Sequence, residues 1–278
     1  MAAKLSGAAA MRPVVFITGA SSGIGAAAVE VFAEAGYDVI AAARRMERLE
    51  QIAHDVAAQH PVQVLPLVCD VNFDISVEGA FKSVALFGFG RLDVLVNNAG
   101  IGGYGSIEQA PLEVFKACME TNYFGALRCT QSALPFLRRT AADRPGRFGA
   151  AIVMVSSFVG RRAMPGFSAY CASKFALEGL SESLRIELAD YRISVSVINP
   201  GVTETDFGKN AIGKRPDKFL VPRKRMGAET VARAILRAVE HPRRNQFLTT
   251  AGKFGAAVDW LSPGLLDVIL RRRFSKKH

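Results

Sequence analysis

Short runs of apolar or β-branched residues alternate along the chain with longer stretches of helical period. Uninterrupted apolar runs are typical of strands buried on both faces of a sheet. The predicted strands are Val14–Thr18, Val39–Ala43, Val62–Val68, Leu92–Val96, Ile152–Ser156 and Ile193–Asn199. The predicted helices begin near Gly23, Met46, Ser76, Pro111, Ala169 and Ala228. This alternation predicts an α/β fold, in which a doubly wound parallel sheet lies between two layers of helices.

The domain organisation follows from the absence of a repeat or a Pro/Gly/Ser-rich linker in the sequence. One domain is expected over residues 13–250, after a flexible tail at residues 1–12. Residues 204–227 are rich in Gly, Pro, Lys and Arg, and a long loop of this kind is typical of a ligand-binding segment. Residues 251–278 are predicted to form a basic, amphipathic helical extension of the same domain.

The positive charge is concentrated near the carboxyl end. The 278 residues carry a formal net charge of +10, but residues 209–278 alone carry +12 and residues 1–208 carry −2. The cations are not interleaved with an aromatic platform, so nucleic-acid binding is not expected. No apolar run approaches the ~20 residues that cross a bilayer, and we expect a cytoplasmic protein. The four cysteines match no metal-site spacing, so no metal is expected.

A glycine-rich turn, Thr18–Gly25, joins the first predicted strand to the first predicted helix. Glycines in this position allow a tight turn and leave backbone N–H groups free to hold a pyrophosphate at the helix start. The turn lacks the Gly-Lys-Ser/Thr ending of a P-loop. It therefore predicts a dinucleotide site whose contacts are Gly19, Ser21, Ser22, Gly23, Ile24 and Gly25.

Two cations follow the second predicted strand, where a carboxylate usually meets the free ribose hydroxyl of NAD. Arg44 and Arg45 offer no acid, and a guanidinium can bind a phosphate through two nitrogens. We therefore favour NADP(H) over NAD(H). The alternative is that both arginines only solvate the start of a helix.

Several motifs occur together and in order: the Thr18–Gly25 turn, Asn97-Asn98-Ala99-Gly100, Ser157, Tyr170-x-x-x-Lys174 and Asn199-Pro200-Gly201. With this set, the chain over about residues 13–205 resembles the short-chain dehydrogenase/reductase family, and its NADP-dependent carbonyl and hydroxysteroid-type members in particular. The resemblance implies a Rossmann fold and an oxidoreductase.

Tyr170 and Lys174 lie four residues apart, so on a helix both side chains project from one face. A nearby positive charge, including that of an oxidised nicotinamide ring, should lower the pKa of the tyrosine from ~10. The phenol can then give a proton to a carbonyl oxygen or take it back. Ser157, at the end of the fifth predicted strand, can hydrogen-bond the same oxygen.

The resemblance assigns roles to these residues one by one. It implies that Tyr170 is the acid/base, that Lys174 lowers its pKa and binds the nicotinamide ribose, and that Ser157 holds the substrate oxygen. It implies that Asn122 holds a water that links Lys174 to solvent. The other cofactor contacts that it implies are Asp70, Val71, Asn98, Ala99, Gly100, Pro200, Gly201, Val202, Thr203 and Thr205.

The expected function is hydride transfer between NADP(H) and a small-molecule carbonyl or secondary alcohol. Aromatic and apolar loop residues favour a steroid, a fatty ketone or an aromatic ketone; they are Tyr104, Phe158, Met164, Phe167, Phe207 and Phe219. Cations in the same loops suit a 3-oxoacyl thioester reductase equally well; they are Arg161, Arg162, Lys209, Lys214 and Arg215. A non-catalytic NADPH-binding or membrane-surface protein is the alternative of another class.

The carboxyl-terminal extension and the assembly leave two further alternatives. The apolar stretch from Trp260 to Leu270 precedes Arg271-Arg272-Arg273. It could lie in a membrane interface, or it could pack over the substrate cleft or against a partner subunit, which we favour. A homodimer through the helices near 111–139 and 168–190 is expected, and a tetramer is less favoured because the usual family ending is missing.

Overall fold

Strands and helices alternate along the chain in the computed structural model, which describes residues 12–87, 90–215 and 225–274. The strands are β1 Val14–Thr18, β2 Asp38–Ala43, β3 Val64–Val68, β4 Val94–Asn97, β5 Gly103–Tyr104, β6 Ala150–Val155, β7 Ile193–Asn199, β8 Ile212–Gly213 and β9 Asn245–Phe247. The helices are α1 Gly23–Glu34, α2 Met46–Gln59, α3 Asp74–Phe87, α4 Leu112–Met119, α5 Gly125–Asp143, α6 Ser168–Glu187, α7 Ala228–Glu240, α8 Thr250–Leu261 and α9 Pro263–Phe274. Of the tail predicted at residues 1–12, all but residue 12 lies outside the described residues.

Seven parallel strands form the main sheet, in the order β3-β2-β1-β4-β6-β7-β9. The predicted doubly wound α/β/α fold is therefore confirmed. The strand order reverses between β1 and β4, and ligands bind at such a point in open α/β sheets. A second, two-stranded sheet pairs β5 with β8, so the loop predicted at 204–227 contains a short strand. Residues 216–224 of that loop lie outside the described residues.

The two faces of the main sheet bury separate apolar cores, as alternation along a strand requires. In β1, Val14 and Phe16 face the core that α3, α5 and α6 cover. Val15 and Ile17 face the core that α1, α2 and α7 cover. Because helices cover both faces of the sheet, only the strand ends are accessible to a ligand, and the candidate site lies there.

The predicted starts of elements differ from the observed ones by two residues at most. The strands β3, β4 and β6 begin at Val64, Val94 and Ala150 rather than at Val62, Leu92 and Ile152, and α3 begins at Asp74 rather than Ser76. An acidic residue in the first turn stabilises a helix through its dipole, which explains the earlier start of α3. Within the described part of the chain, no helix combines the length and the apolar character needed to cross a bilayer.

Candidate active site

A cleft of about 1740 Å³ opens at the carboxyl ends of the strands, over the point where the sheet order reverses. Pockets for single drug-sized ligands have volumes of about 300–1000 Å³, so this cleft has room for a dinucleotide and a second molecule. The predicted residues that line it are Gly19, Ser21, Ser22, Gly23, Ile24, Arg44, Arg45, Asp70, Val71, Asn98, Ala99, Gly100, Ser157, Tyr170, Lys174, Pro200, Gly201, Val202, Thr203 and Thr205. Gly25 and Asn122 stand behind the cleft wall rather than in it.

The glycine-rich turn forms one end of the cleft. Gly19 has a φ of +68°, and a Cβ there would lie 2.9 Å from the Cα of Ala99, so a side chain is excluded. Arg45 extends over the turn, and its Nη2 donates hydrogen bonds to the hydroxyls of Ser21 at 2.9 Å and Ser22 at 3.0 Å. A guanidinium therefore lies directly beside the predicted phosphate-binding residues.

Partly buried hydrogen bonds fix the strand ends beneath this turn. The amide of Asn98 donates to the carbonyl oxygen of Thr18 at 2.8 Å. The hydroxyl of Thr18 in turn accepts the N–H groups of Asn98 and Ala99, each at 3.0 Å. Asp70, at the end of β3, accepts the N–H of Asn72 at 3.1 Å. These bonds join β1 to β4 at the switch point and hold the backbone still where a cofactor would bind.

Tyr170 projects from the first turn of α6, and its side chain is partly exposed in the cleft. Ser157, which follows the end of β6 and is 8% exposed, lies close enough to the phenol to lower its pKa. Burial has the larger effect and raises the pKa of the Tyr170 phenol above its ordinary value. The sequence predicted a pKa lowered by nearby positive charge, whereas in the protein alone burial acts in the opposite direction.

Lys174 follows Tyr170 by one helical turn and is 3% exposed. Its Nζ donates to the carbonyl oxygen of Val155 at 2.9 Å and lies 5.8 Å from the centre of the Tyr170 ring. Burial lowers the pKa of Lys174 to about 8, and the charge of Glu178 is the largest opposing influence. Burial of this side chain therefore favours the neutral amine.

Asn122 lies in a short π-helical segment, Glu120–Phe124, between α4 and α5. Insertions of this kind are frequent at functional sites. The Oδ1 atom accepts the N–H of Ile101 at 2.8 Å, and Nδ2 donates to the carbonyl oxygen of Ile101 at 3.0 Å and to Ser173 at 2.9 Å. A Cβ on Gly100 would lie 2.9 Å from Oδ1 of Asn122 and 3.6 Å from Nζ of Lys174, so both groups approach one point.

The substrate end of the cleft is largely apolar, as its sequence predicted. Its lining includes Tyr104, Phe158, Met164, Phe167 and Phe207, whereas Phe219 lies outside the described residues. The ring of Phe207 lies 5.6 Å from that of Tyr170, centre to centre. Of the cations predicted here, the cleft wall includes Arg161, Arg162, Lys209 and Arg215 but not Lys214.

Leu266, Ile269 and Leu270 of α9 line the substrate end, and packing over the substrate cleft was one of the positions that the sequence favoured for this stretch. The sequence analysis missed Glu178, which is buried on α6 one turn beyond Lys174. Its spacing of four from Lys174 was the available signal. Among the described residues, no group of three or more His, Cys, Asp or Glu is placed to hold a metal ion.

Comparison with known proteins agrees with this geometry. A bovine protein, dehydrogenase/reductase SDR family member 7B, is 38% identical over 210 residues, which span 74% of this chain and 62% of the bovine protein. An alcohol dehydrogenase of Thermococcus sibiricus, complexed with 5-hydroxy-NADP, superposes with a TM-score of 0.74 at 30% identity, covering 85% of this chain and 96% of that one.

A 3-ketoacyl-(acyl-carrier-protein) reductase of Brucella melitensis, complexed with NADH, superposes with a TM-score of 0.74 at 26% identity, covering 85% of this chain and 96% of the other. Similar structures thus hold either nicotinamide cofactor. Residues 13–215 match the family model described as short chain dehydrogenase. The chain therefore belongs to the short-chain dehydrogenase family of oxidoreductases.

Proposed function

We propose that the protein is an NADP(H)-dependent oxidoreductase that interconverts a carbonyl and a secondary alcohol. The observation that carries this proposal is that Tyr170, Ser157 and Lys174 line the same cleft as the glycine-rich turn. The tight turn at Gly19 fits a dinucleotide site, because a Cβ there would meet the backbone of Ala99, just after β4. The order of these groups along the cleft suits a cofactor phosphate at one end and a reacting carbonyl at the other.

Each protein group then has a defined task in carbonyl reduction. The nicotinamide, when bound, supplies the hydride and, once oxidised, a positive charge. Tyr170 donates its phenol proton to the carbonyl oxygen, while Ser157 hydrogen-bonds the same oxygen and orients it. Lys174 presents its ammonium toward the nicotinamide ribose. Because burial alone raises the pKa of the phenol, the charges on Lys174 and on the oxidised ring must together stabilise the phenolate that forms.

The preference for NADP(H) rests on two arginines in the cleft wall, Arg44 and Arg45. Arg45 already lies against the hydroxyls of Ser21 and Ser22, so a ribose phosphate bound beside the turn would meet its guanidinium. The 5-hydroxy-NADP in the Thermococcus sibiricus enzyme supports this choice. The NADH bound in the Brucella melitensis reductase argues against this preference.

The proposed substrate is an apolar ketone or alcohol, such as a steroid, a lipid-like ketone or an aromatic ketone. Two of the cleft cations are already bound to acids of the protein: Arg161 donates to Glu178 at 3.1 Å, and Arg162 pairs with Asp267. Because protein carboxylates already neutralise these two cations, they are less able to bind an anionic acyl thioester, and an apolar ketone is favoured. The presence of Tyr170 together with Ser157 and Lys174 in one cleft argues against a non-catalytic protein.

The assembly and the carboxyl-terminal helices belong to the same proposal. We propose a homodimer through α4, α5 and α6, because apolar side chains on this surface are exposed, including Leu112, Phe124 and Phe175. We propose that α9 is a wall of the cleft within the same domain, since Leu266 and Leu270 line it. Residues 275–278, which carry part of the charge invoked for membrane contact, lie outside the described residues.

The decisive test is turnover on a panel of carbonyl compounds, followed at 340 nm with NADPH and with NADH. Tyr170→Phe should lower kcat by about 10³-fold, the range expected for loss of a general acid, with little change in NADPH binding. Tyr191→Phe is the matched control, because Tyr191 is 45% exposed and lies beyond the end of α6. Equal turnover by Tyr170→Phe would overturn the proposal. Faster turnover of acyl thioesters than of free ketones would instead favour the thioester reductase.

A further inference from the structure

A buried acid stands behind the proposed catalytic groups and has no task in the mechanism above. Glu178 lies on α6, one turn after Lys174 and two turns after Tyr170, and is only 4% exposed. An acid in such a place is costly unless its charge is compensated, because desolvation disfavours ionisation. Burial raises the pKa of Glu178, and the charge of Arg161 is the largest opposing influence.

Two side chains from different elements hydrogen-bond this carboxylate, and a third lies near it. Nε of Arg161, on the segment after β6, donates to Oε2 of Glu178 at 3.1 Å. With its amide oriented so that nitrogen faces acceptors, Asn245 of β9 donates to the same oxygen at 3.2 Å and accepts from Arg161 at 2.8 Å. Ser156, which precedes Ser157, also approaches the carboxyl group and lowers its pKa. Glu178 therefore ties α6 to the strand end that carries the substrate-oxygen partner.

The same carboxylate acts on Lys174 through space. Among the groups that oppose the effect of burial on the pKa of Lys174, Glu178 has the largest influence. The lysine Nζ is held by the carbonyl oxygen of Val155, the residue before Ser156. The ammonium and the carboxyl group thus both lie near the end of β6, at Val155 and Ser156, and Lys174 lines the cleft whereas Glu178 does not.

We propose that Glu178, held by Arg161 and Asn245, is a positioning residue whose negative charge retains the ammonium of Lys174 for cofactor binding and proton transfer. This inference rests on the proposed function, because it assigns Lys174 the ribose contact. The alternative is a structural ion pair that only joins α6 to the loop. The two differ in their consequence, because a structural pair contributes to stability without changing the titration of Lys174.

Other charged groups around the pair are shared by both explanations. Glu182 binds the second arm of Arg161, and Arg185 and Arg244 act electrostatically on Glu182. The thiol of Cys118, on α4, lies near Lys174. Glu182 is the useful control among them. It shares Arg161 with Glu178 but is 47% exposed and lies two turns from Lys174.

The experiment measures NADPH affinity by cofactor fluorescence from pH 6 to 9, in the full chain. Glu178→Gln keeps the shape of the side chain and removes its charge. Because Lys174 should then lose its proton at lower pH, the fall in NADPH affinity should move to lower pH by about half a unit or more. Glu182→Gln should leave the curve in place, and Glu178→Asp should restore much of it.

Two outcomes would overturn the inference: a curve for Glu178→Gln that superposes on that of the wild type, or an equal displacement in Glu182→Gln. Should Glu178→Gln fail to fold, Arg161→Gln gives a second test. Loss of that guanidinium favours the protonated carboxyl, so the same displacement is expected, and an unchanged curve would count against the inference. Absence of carbonyl turnover in the wild type would refute the proposed function alone, since cofactor affinity needs no substrate.

Discussion

The two ends of the cleft are built in different ways. At the cofactor end, Asn98 and Thr18 join β1 to β4 through hydrogen bonds whose groups are buried or partly buried. At the substrate end, α9 is fastened by an ion pair between Arg162 and Asp267, and the Asp267 side chain is 74% exposed. One end is therefore held by partly buried hydrogen bonds between side chains and backbone, and the other by side chains in contact with water.

This difference separates what is general from what is particular to the chain. Residues 13–215 match the family model, and they include the whole cofactor end. The helix α9 lies beyond the matched residues, yet it supplies Leu266, Ile269 and Leu270 to the cleft. A backbone site tolerates little change, whereas a side-chain wall can be altered to accept another substrate. Substitutions should therefore have larger effects at the cofactor end than at the substrate end.

The largest effect is expected for Gly25→Ala at the cofactor end. A Cβ on Gly25 would lie 2.2 Å from the carbonyl oxygen of Gly19, which is backbone and cannot move aside. We expect loss of measurable NADPH binding and a reduction of several kcal/mol, about 3 or more, in the free energy of unfolding. Gly79→Ala, in the exposed part of α3 where a Cβ meets nothing within 4 Å, should be neutral or stabilising. Normal NADPH binding by Gly25→Ala would show that the turn is not the phosphate site.

A smaller effect is expected where the cofactor end is formed by a side chain. Arg45→Ala removes the guanidinium that lies against Ser21 and Ser22. We expect NADPH affinity to fall by about 10- to 100-fold, the range for one charged hydrogen-bonding group, while NADH affinity stays nearly constant. Titration of both cofactors measures this ratio. Arg48→Ala, one turn into α2, is the control, and an equal loss of NADH affinity in Arg45→Ala would refute the proposed phosphate contact.

The pH dependence of cofactor binding tests the centre of the cleft. Burial lowers the pKa of Lys174 to about 8, so its positive charge is present below that pH and is lost as the pH rises through it. NADPH affinity should therefore fall by up to about 10-fold per pH unit above pH 8. Lys174→Met should bind weakly and with a flat profile over the same range. A wild-type profile that stays flat to pH 9 would contradict the proposed role of the ammonium.

The sequence predicted the elements that are long and fully buried. The bounds of β1 and β7 are those predicted, because each is an uninterrupted apolar or β-branched run inside a parallel sheet. The strands β5, β8 and β9 have two or three residues each. Strands so short have no period of their own, and their pairing depends on contacts between distant parts of the chain.

The candidate site shows the same division. Tyr170, Lys174 and Ser157 could be predicted because their chemistry requires fixed residue types at fixed spacing along the chain. Glu178 lies on a helix where an acid more often faces water, and its burial depends on Arg161 and on the strand that α6 covers. The pairing of Arg162 with Asp267, 105 residues away, carries no local pattern at all.

The smallest effect is expected at the substrate end, for Asp267→Asn. Loss of the ion pair with Arg162 should loosen α9, but an exposed pair contributes only about 0–1 kcal/mol. We therefore expect KM for a bulky apolar ketone to change by about two- to fivefold, with KM for NADPH unchanged. Glu34→Gln, which breaks the exposed pair with Arg233, controls for a general loss of surface charge.

The informative quantity in this experiment is the dependence on substrate size. A small ketone that reaches Tyr170 without touching Leu266 or Leu270 should keep its KM in Asp267→Asn, whereas a steroid-sized ketone should not. Equal changes for both would mean that α9 affects the whole fold rather than the wall. No change for either would mean that the apolar side chains of α9 hold the helix in place without the ion pair, and that the substrate end is as firmly built as the cofactor end.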